Sequence, residues 1–266
     1  MRRQRLIEAR KAMGRTQEEV AEAVGVDRTT LGKWERDEST PQPGQRPRYA
    51  EALGITLDEL AAMLSSVPSI EAETPDWVST YLGMEQSATS IRAHEPRGVY
   101  GLLQTPRYTE ALISRVGITG VSDTYIQRSI EQRLYRQKRV LSGDLEIDLV
   151  QPESALHLVV GTPEVMAEQM ANCLELAELP TVNLRISPYS AGNHEALRLG
   201  NFALMTHPWG TPRVHLEGYG GGRFITNADE VGYFTAVFEQ AKSMALTPAE
   251  SKKFVQRLEK AWSKKC

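Results

Sequence analysis

The stretch from Thr16 to Arg36 constrains this chain more than any other. Thr16-Gln17-Glu18-Glu19-Val20-Ala21-Glu22-Ala23-Val24-Gly25-Val26 runs directly into Asp27-Arg28-Thr29-Thr30-Leu31-Gly32-Lys33-Trp34-Glu35-Arg36. Thr16 suits a helix N-cap, and Glu19 three residues later completes a capping box. Val20 and Val24 share one helical face. Ala21 and Gly25 are small where a second helix must cross closely, and Gly25 admits the left-handed conformation that ends a helix. Asp27 caps the next helix, whose Leu31 and Trp34 face inward. This spacing predicts a helix-turn-helix, with a second helix shaped to enter a DNA major groove.

At about 100° per residue, an inward Leu31 and Trp34 turn Thr29, Gly32, Lys33 and Arg36 outward. Arg28 falls at the N-terminal tip, the end that reaches base edges in this docking mode. Arg and Lys donate to guanine O6 and N7, and a threonine methyl meets a thymine methyl. Arg28, Thr29, Thr30, Lys33 and Arg36 are therefore the expected base-reading set. Gln17 opens the first helix of the pair, where its amide and the backbone N–H groups suit a phosphate oxygen. Gly32 is expected to clear room beside the sugar-phosphate wall. Arg2, Arg3 and Arg5 form a basic arm suited to the phosphate backbone. An amphipathic helix pair with an ordinary solvated face is the alternative reading of the same pattern.

Arg10, Thr16-Gln17-Glu18-Glu19-Val20-Ala21, Gly25, Trp34-Glu35, Pro41, Leu53-Gly54-Ile55 and Leu57-Asp58-Glu59-Leu60 closely resemble the XRE-type helix-turn-helix of lambda-repressor-like regulators. The resemblance spans roughly residues 3–64 and implies an all-α, five-helix DNA-binding domain. It further implies that Arg10 pairs with Glu35, tying the first helix to the recognition helix. Such a charge-assisted pair is scaffold, since losing one member leaves a desolvated charge. Asp37 follows Arg36 where the family often has glycine, so the turn leaving the third helix, near Thr40 and Gln42, is expected to differ.

A chain of 266 residues accommodates this domain and a larger one. The net charge of −3 is uneven: residues 1–48 carry 11 Lys/Arg against 8 Asp/Glu, and the remainder is acidic. The two cysteines, Cys173 and Cys266, make neither a disulfide framework nor a zinc site of the usual cysteine count. No apolar stretch follows the basic N-terminus and none reaches membrane-spanning length, so a cytoplasmic protein is expected.

Beyond residue 64, Ser65-Ser66-Val67-Pro68-Ser69 and Pro75 break the pattern, and residues 65–75 read as a linker. The domain expected over 76–266 is α+β with a small, mostly antiparallel sheet. Helices are expected near 76–89, 123–141, 163–177, 229–244 and 247–262. Strands are expected near 92–94, 145–150, 182–187, 202–206, 213–217 and 223–226. Thr105 with Pro106, and Thr247 with Pro248 and Glu250, mark helix starts. Gly101-Leu102-Leu103-Gln104-Thr105-Pro106-Arg107-Tyr108, Arg133 with Arg136-Gln137, Val160-Gly161, Glu168-Gln169-Met170 and Ala245-Leu246-Thr247-Pro248-Ala249-Glu250-Ser251 are similar to landmarks of WhiJ-like regulators of actinomycetes. That resemblance implies control of development, secondary metabolism or toxin–antitoxin-like loci, with a small co-encoded protein binding the C-terminal domain. Tyr100, where the family usually has proline, and Gln151-Pro152-Glu153-Ser154 depart from its pattern.

Sites for other chemistry are weaker. His207, His215, Glu217 and His194-Glu195 lack the close ligand spacing of a zinc site, and structural histidines are the better reading. Cys173 reads as a buried apolar residue, and no nucleophile elbow is present, so no catalytic residue, metal or cofactor is expected. Gly218–Gly222 suits a hairpin turn better than a phosphate cradle. The Arg-rich helix over 128–139 reads as a solvated face before a second DNA contact or a docking face. Leu102, Leu103 and Tyr108 with Trp77 and Tyr81 suit core packing before a ligand pocket. The expected function is a sequence-specific transcriptional repressor, not an enzyme. It would bind a double-stranded operator as a homodimer, with half-sites about 34–36 Å apart. A partner protein or small ligand would control it. The alternative is an antitoxin-like module that sequesters a small co-encoded protein and autoregulates its operon.

Overall fold

The computed structural model describes residues 3–65, 76–115, 121–218 and 221–266. The expected linker therefore lies almost wholly outside the described residues, as does the tip of the 218–222 turn. The chain divides into two compact units. The described part of the first comprises residues 3–65, 76–88 and 207–211; the second holds the rest.

In the first unit, α1 (Gln4–Ala12), α2 (Gln17–Val24), α3 (Arg28–Glu35), α4 (Arg46–Leu53) and α5 (Leu57–Leu64) enclose one core of Leu6, Val20, Val24, Leu31, Trp34, Tyr49, Leu53 and Leu60. The caps follow the sequence signals. Thr16 and Glu19 exchange both bonds of a capping box, Asp27 accepts the Thr30 N–H, and Gly25 ends α2 at φ 82°. The turn after α3 uses a left-handed Asp37, φ 64°, whose carboxylate pairs with Arg3 at 2.9 Å. An L-residue with a side chain is held there by that pair, where glycine would adopt the conformation freely. Next, α6 (Asp76–Ser87) crosses α5 closely. A Cβ on Gly83 would stand 2.4 Å from the carbonyl carbon of Ala61, so only glycine permits this approach.

The second unit is built on strands β1 (Ser90–His94), β2 (Glu146–Pro152), β3 (Val182–Ser187), β4 (Phe202–His207), β5 (Gly210–Gly218) and β6 (Gly221–Ile225), in sheet order β3-β2-β1-β4-β5-β6. β1, β2 and β3 run parallel, whereas β1 with β4 and β5 with β6 are antiparallel. The sheet is thus mixed, correcting the expectation of a mostly antiparallel one. The reason is connectivity. Helices α7 (Pro106–Ile113) and α8 (Asp123–Leu141) separate β1 from β2, and α9 (Glu153–His157) and α10 (Pro163–Leu176) separate β2 from β3. Connections of that length carry the chain back to start a parallel neighbour. α12 (Ala228–Met244; α11 is Glu195–Leu199) covers one face, its Val231, Phe234, Val237, Phe238 and Ala241 meeting Val150, Phe202, Leu204 and Val214.

Several buried polar residues of this unit prove to be clamps on backbone. Gln169 donates to the Leu103 carbonyl at 2.7 Å and accepts the Thr105 N–H at 2.8 Å. Gln137 donates to the Gln104 carbonyl at 2.6 Å, and Asn172 joins at Leu103 at 2.8 Å. All are buried or nearly so, and together they satisfy a turn that would otherwise hide unpaired carbonyls. At the β3 margin of the sheet, α13 (Pro248–Ser263) supplies Ser251, whose hydroxyl accepts the Ile186 N–H at 3.0 Å, and the Leu246 N–H reaches the Ile186 carbonyl at 2.9 Å. Covering an edge strand in this way blocks pairing with another chain.

Candidate nucleic-acid interface

The recognition surface rests on a buried carboxylate. Glu35, at the end of α3, is 2 % exposed. Arg10 of α1 grips it with two bonds, Nε to Oε1 at 2.6 Å and Nη2 to Oε2 at 3.2 Å. Gln17 of α2 donates to Oε2 at 2.7 Å, and Arg10 also reaches the Arg15 carbonyl at 3.0 Å. The hydrogen bond to Glu35 raises the Arg10 pKa above its ordinary value. One side chain thereby joins three helices. The expected Arg10–Glu35 pair is present, and Gln17 is turned towards the scaffold, with its amide on Glu35 rather than outward.

The outward face of α3 sorts into two groups. Arg28, Thr29 and Lys33 are exposed, and Lys33 is near enough to Glu38 to help lower its pKa. Thr30 is engaged locally: its hydroxyl donates to Asp27 Oδ2 at 2.7 Å, which with the backbone bond from Thr30 keeps the Asp27 carboxylate below its usual range. Arg36 forms a forked pair with Glu38, 2.7 and 3.0 Å, which holds the guanidinium pKa up and the Glu38 pKa down. That pair is exposed and dissolves readily in favour of a phosphate or base. Gly32 is buried rather than outward. A Cβ there would lie 3.0 Å from Arg36 Nη1, so the missing side chain makes room for Arg36.

Of the expected basic arm, Arg2 lies outside the described residues and Arg5 is exposed on α1, whereas Arg3 differs from expectation. Arg3 is folded inward, donating to the carbonyls of Trp34 at 3.3 Å and Ser39 at 3.0 Å and to the Thr40 hydroxyl at 3.0 Å. It fastens the turn after α3 instead of trailing along a backbone. A guanidinium with five donors in a fixed fork suits such a cluster of acceptors. Arg48 adds a residue that the sequence pattern does not flag. It is exposed on α4, its guanidinium 3.9 Å from where a Gly25 Cβ would be, beside the turn between α2 and α3. Only the packing of α4 on α2 brings it there.

The histidines, Cys173 and the apolar residues singled out in the sequence lie as follows. His207 lies against the Met84 carbonyl at 3.1 Å and against Trp209, and His215 packs on Phe224. Among the described residues no group of three His, Cys, Asp or Glu side chains is arranged to hold a metal. Cys173 is fully buried, and burial pushes its thiol up to about 11. Leu102, Leu103 and Tyr108 are fully buried core, while the Trp77 side chain lies outside what is described. Among the described residues no helix is long and apolar enough to cross a membrane.

Comparison with known proteins agrees with this division. Residues 6–60 match the family described as helix-turn-helix, and residues 78–257 match the domain of unknown function DUF5753. Neither a curated protein nor a solved structure matches the chain. The helix-turn-helix match identifies a DNA-binding domain of transcriptional regulators. With a match over well more than half its length, the chain belongs to the DUF5753 family, as an XRE-type regulator that carries this domain behind its helix-turn-helix.

Proposed function

We propose that the chain represses transcription at a specific operator, reading bases with Arg28, Thr29 and Lys33, and with Arg36 once its pair with Glu38 opens. The observation that carries this reading is the α3 face, where three exposed side chains suited to base edges stand on a helix locked by Glu35. The chain works by binding rather than by catalysis, as a homodimer on two half-sites. A small partner protein or ligand acts on the second unit to set operator occupancy.

The test begins with a duplex selected in vitro by the full chain. Arg28→Ala is expected to lose about 1–3 kcal/mol on that duplex and to flatten its preference over scrambled sequence. Binding to the selected duplex that survives Arg28→Ala and Lys33→Ala together refutes the assignment. Transcription from a promoter containing the site should fall when the chain is added; a rise would make it an activator. Purification that retains a small co-encoded protein, with no effect on any promoter, would favour the antitoxin-like reading instead.

A further inference from the structure

The 19-residue helix α8 presents a surface that none of the above uses. Its inner side buries Ile126, Ser129, Gln132, Gln137 and Val140. On the opposite side Thr124, Gln127, Glu131, Leu134, Lys138 and Leu141 are all exposed. These six are spaced alternately three and four residues apart, the spacing that lines up one seam for another helix. Leu134 is 42 % exposed and Leu141 59 %, seven residues apart on an otherwise polar strip. Leucines so placed are two turns from each other on one face, not scattered singly.

The charges on the strip decide what fits it. Glu131 lies one turn before Leu134 and Lys138 one turn after, with the ammonium held 5.6 Å from the centre of the Tyr135 ring. A second α8 laid antiparallel, centred between positions 134 and 135, sets Glu131 against Lys138 of the second copy, and the reverse. The two Leu134 side chains then meet at the centre. A parallel helix would set Glu131 on Glu131 and Lys138 on Lys138, which repel. The strip is thus complementary to itself in one orientation only, as an isologous two-fold contact requires.

We propose that α8 is a self-association surface on which a second copy of this chain docks antiparallel through Glu131, Leu134, Lys138 and Leu141. The proposal deepens the regulator reading and rests on it for its purpose, since two copies must occupy one operator. In this register the two helices overlap over residues 128–141, about 20 Å, which is at the small end of protein interfaces. The dimer is therefore weak alone and strengthened when adjacent half-sites hold two copies together.

The test uses the full chain with Cys266→Ser. Glu131→Cys and Lys138→Cys copies, mixed and mildly oxidised, should give the mixed disulfide in preference to either like pair. Sedimentation equilibrium should show Glu131→Lys weakening self-association about tenfold, and adding Lys138→Glu should restore it. Leu134→Ala should also weaken it while leaving the thermal midpoint unchanged, because that side chain touches solvent. A Glu131→Cys homodimer as the main product, or self-association indifferent to all these changes, overturns the proposal. Binding of each variant to a selected duplex is measured separately. Cross-linking without any DNA binding keeps the surface and sinks the regulator reading; specific DNA binding without cross-linking does the opposite.

Discussion

At the scale of single residues, Glu35 carries a disproportionate share of the first unit. Its carboxylate is nearly inaccessible and receives Arg10 and Gln17 from two other helices. Removing Arg10 leaves that charge buried with one neutral donor, so Arg10→Met should destabilise the first unit by about 3–5 kcal/mol. Arg10→Met with Glu35→Met should recover most of that loss, because an apolar pair carries no desolvation penalty. Urea unfolding followed through Trp34, which is buried beside Tyr49, checks both. The pair itself was foreseeable from resemblance to lambda-repressor-like domains. The turning of Gln17 inward was not, since an amide at a helix start serves a phosphate or a buried carboxylate equally well. Gly32 posed the same ambiguity: a missing side chain in sequence does not say which neighbour fills the room.

At the scale of elements, Gly83 decides how α5 and α6 meet. Any Cβ there collides with the Ala61 carbonyl group and the Ala62 nitrogen, which are backbone and cannot step aside. Gly83→Ala should cost about 1–3 kcal/mol from overpacking, more than the helix propensity it gains of about 1 kcal/mol. Lower urea midpoints in Gly83→Ala, with α6 still helical by circular dichroism, are the expected outcome. Element boundaries were readable because caps act locally: Thr16, Asp27, Thr105 and Thr247 each bond within three residues of themselves. Sheet polarity was not. The strand runs near 145–150 and 182–187 look alike in either direction, and whether neighbours run parallel is settled by what the intervening helices do.

At the scale of the molecule, acid should weaken the second unit. His94, at the end of β1, is 1 % exposed, and burial pushes its pKa down to about 4, partly countered by its bond to the Gly200 carbonyl at 2.8 Å. The unfolded chain takes up this proton near pH 6.5, the folded chain only near 4. Stability attributable to His94 is therefore intact above 6.5 and lost as pH falls towards 4, by roughly 3 kcal/mol in all. His194 is lowered by burial too and acts with the same sign, whereas Glu95, raised by burial, opposes it. Denaturation midpoints at pH 7 and pH 5 should separate, and the gap should narrow in His94→Gln. The makeup of the first unit has a consequence of another kind. Its pieces come from three places in the chain, the last ending at residue 211. During synthesis the α5 surface that Gly83 covers waits for α6, and the unit is whole only after about 150 further residues, roughly 7–30 s at ribosomal speed. A nascent chain thus carries its helix-turn-helix, over a core drawn wholly from residues 6–64, well before the last segment of the same unit is made.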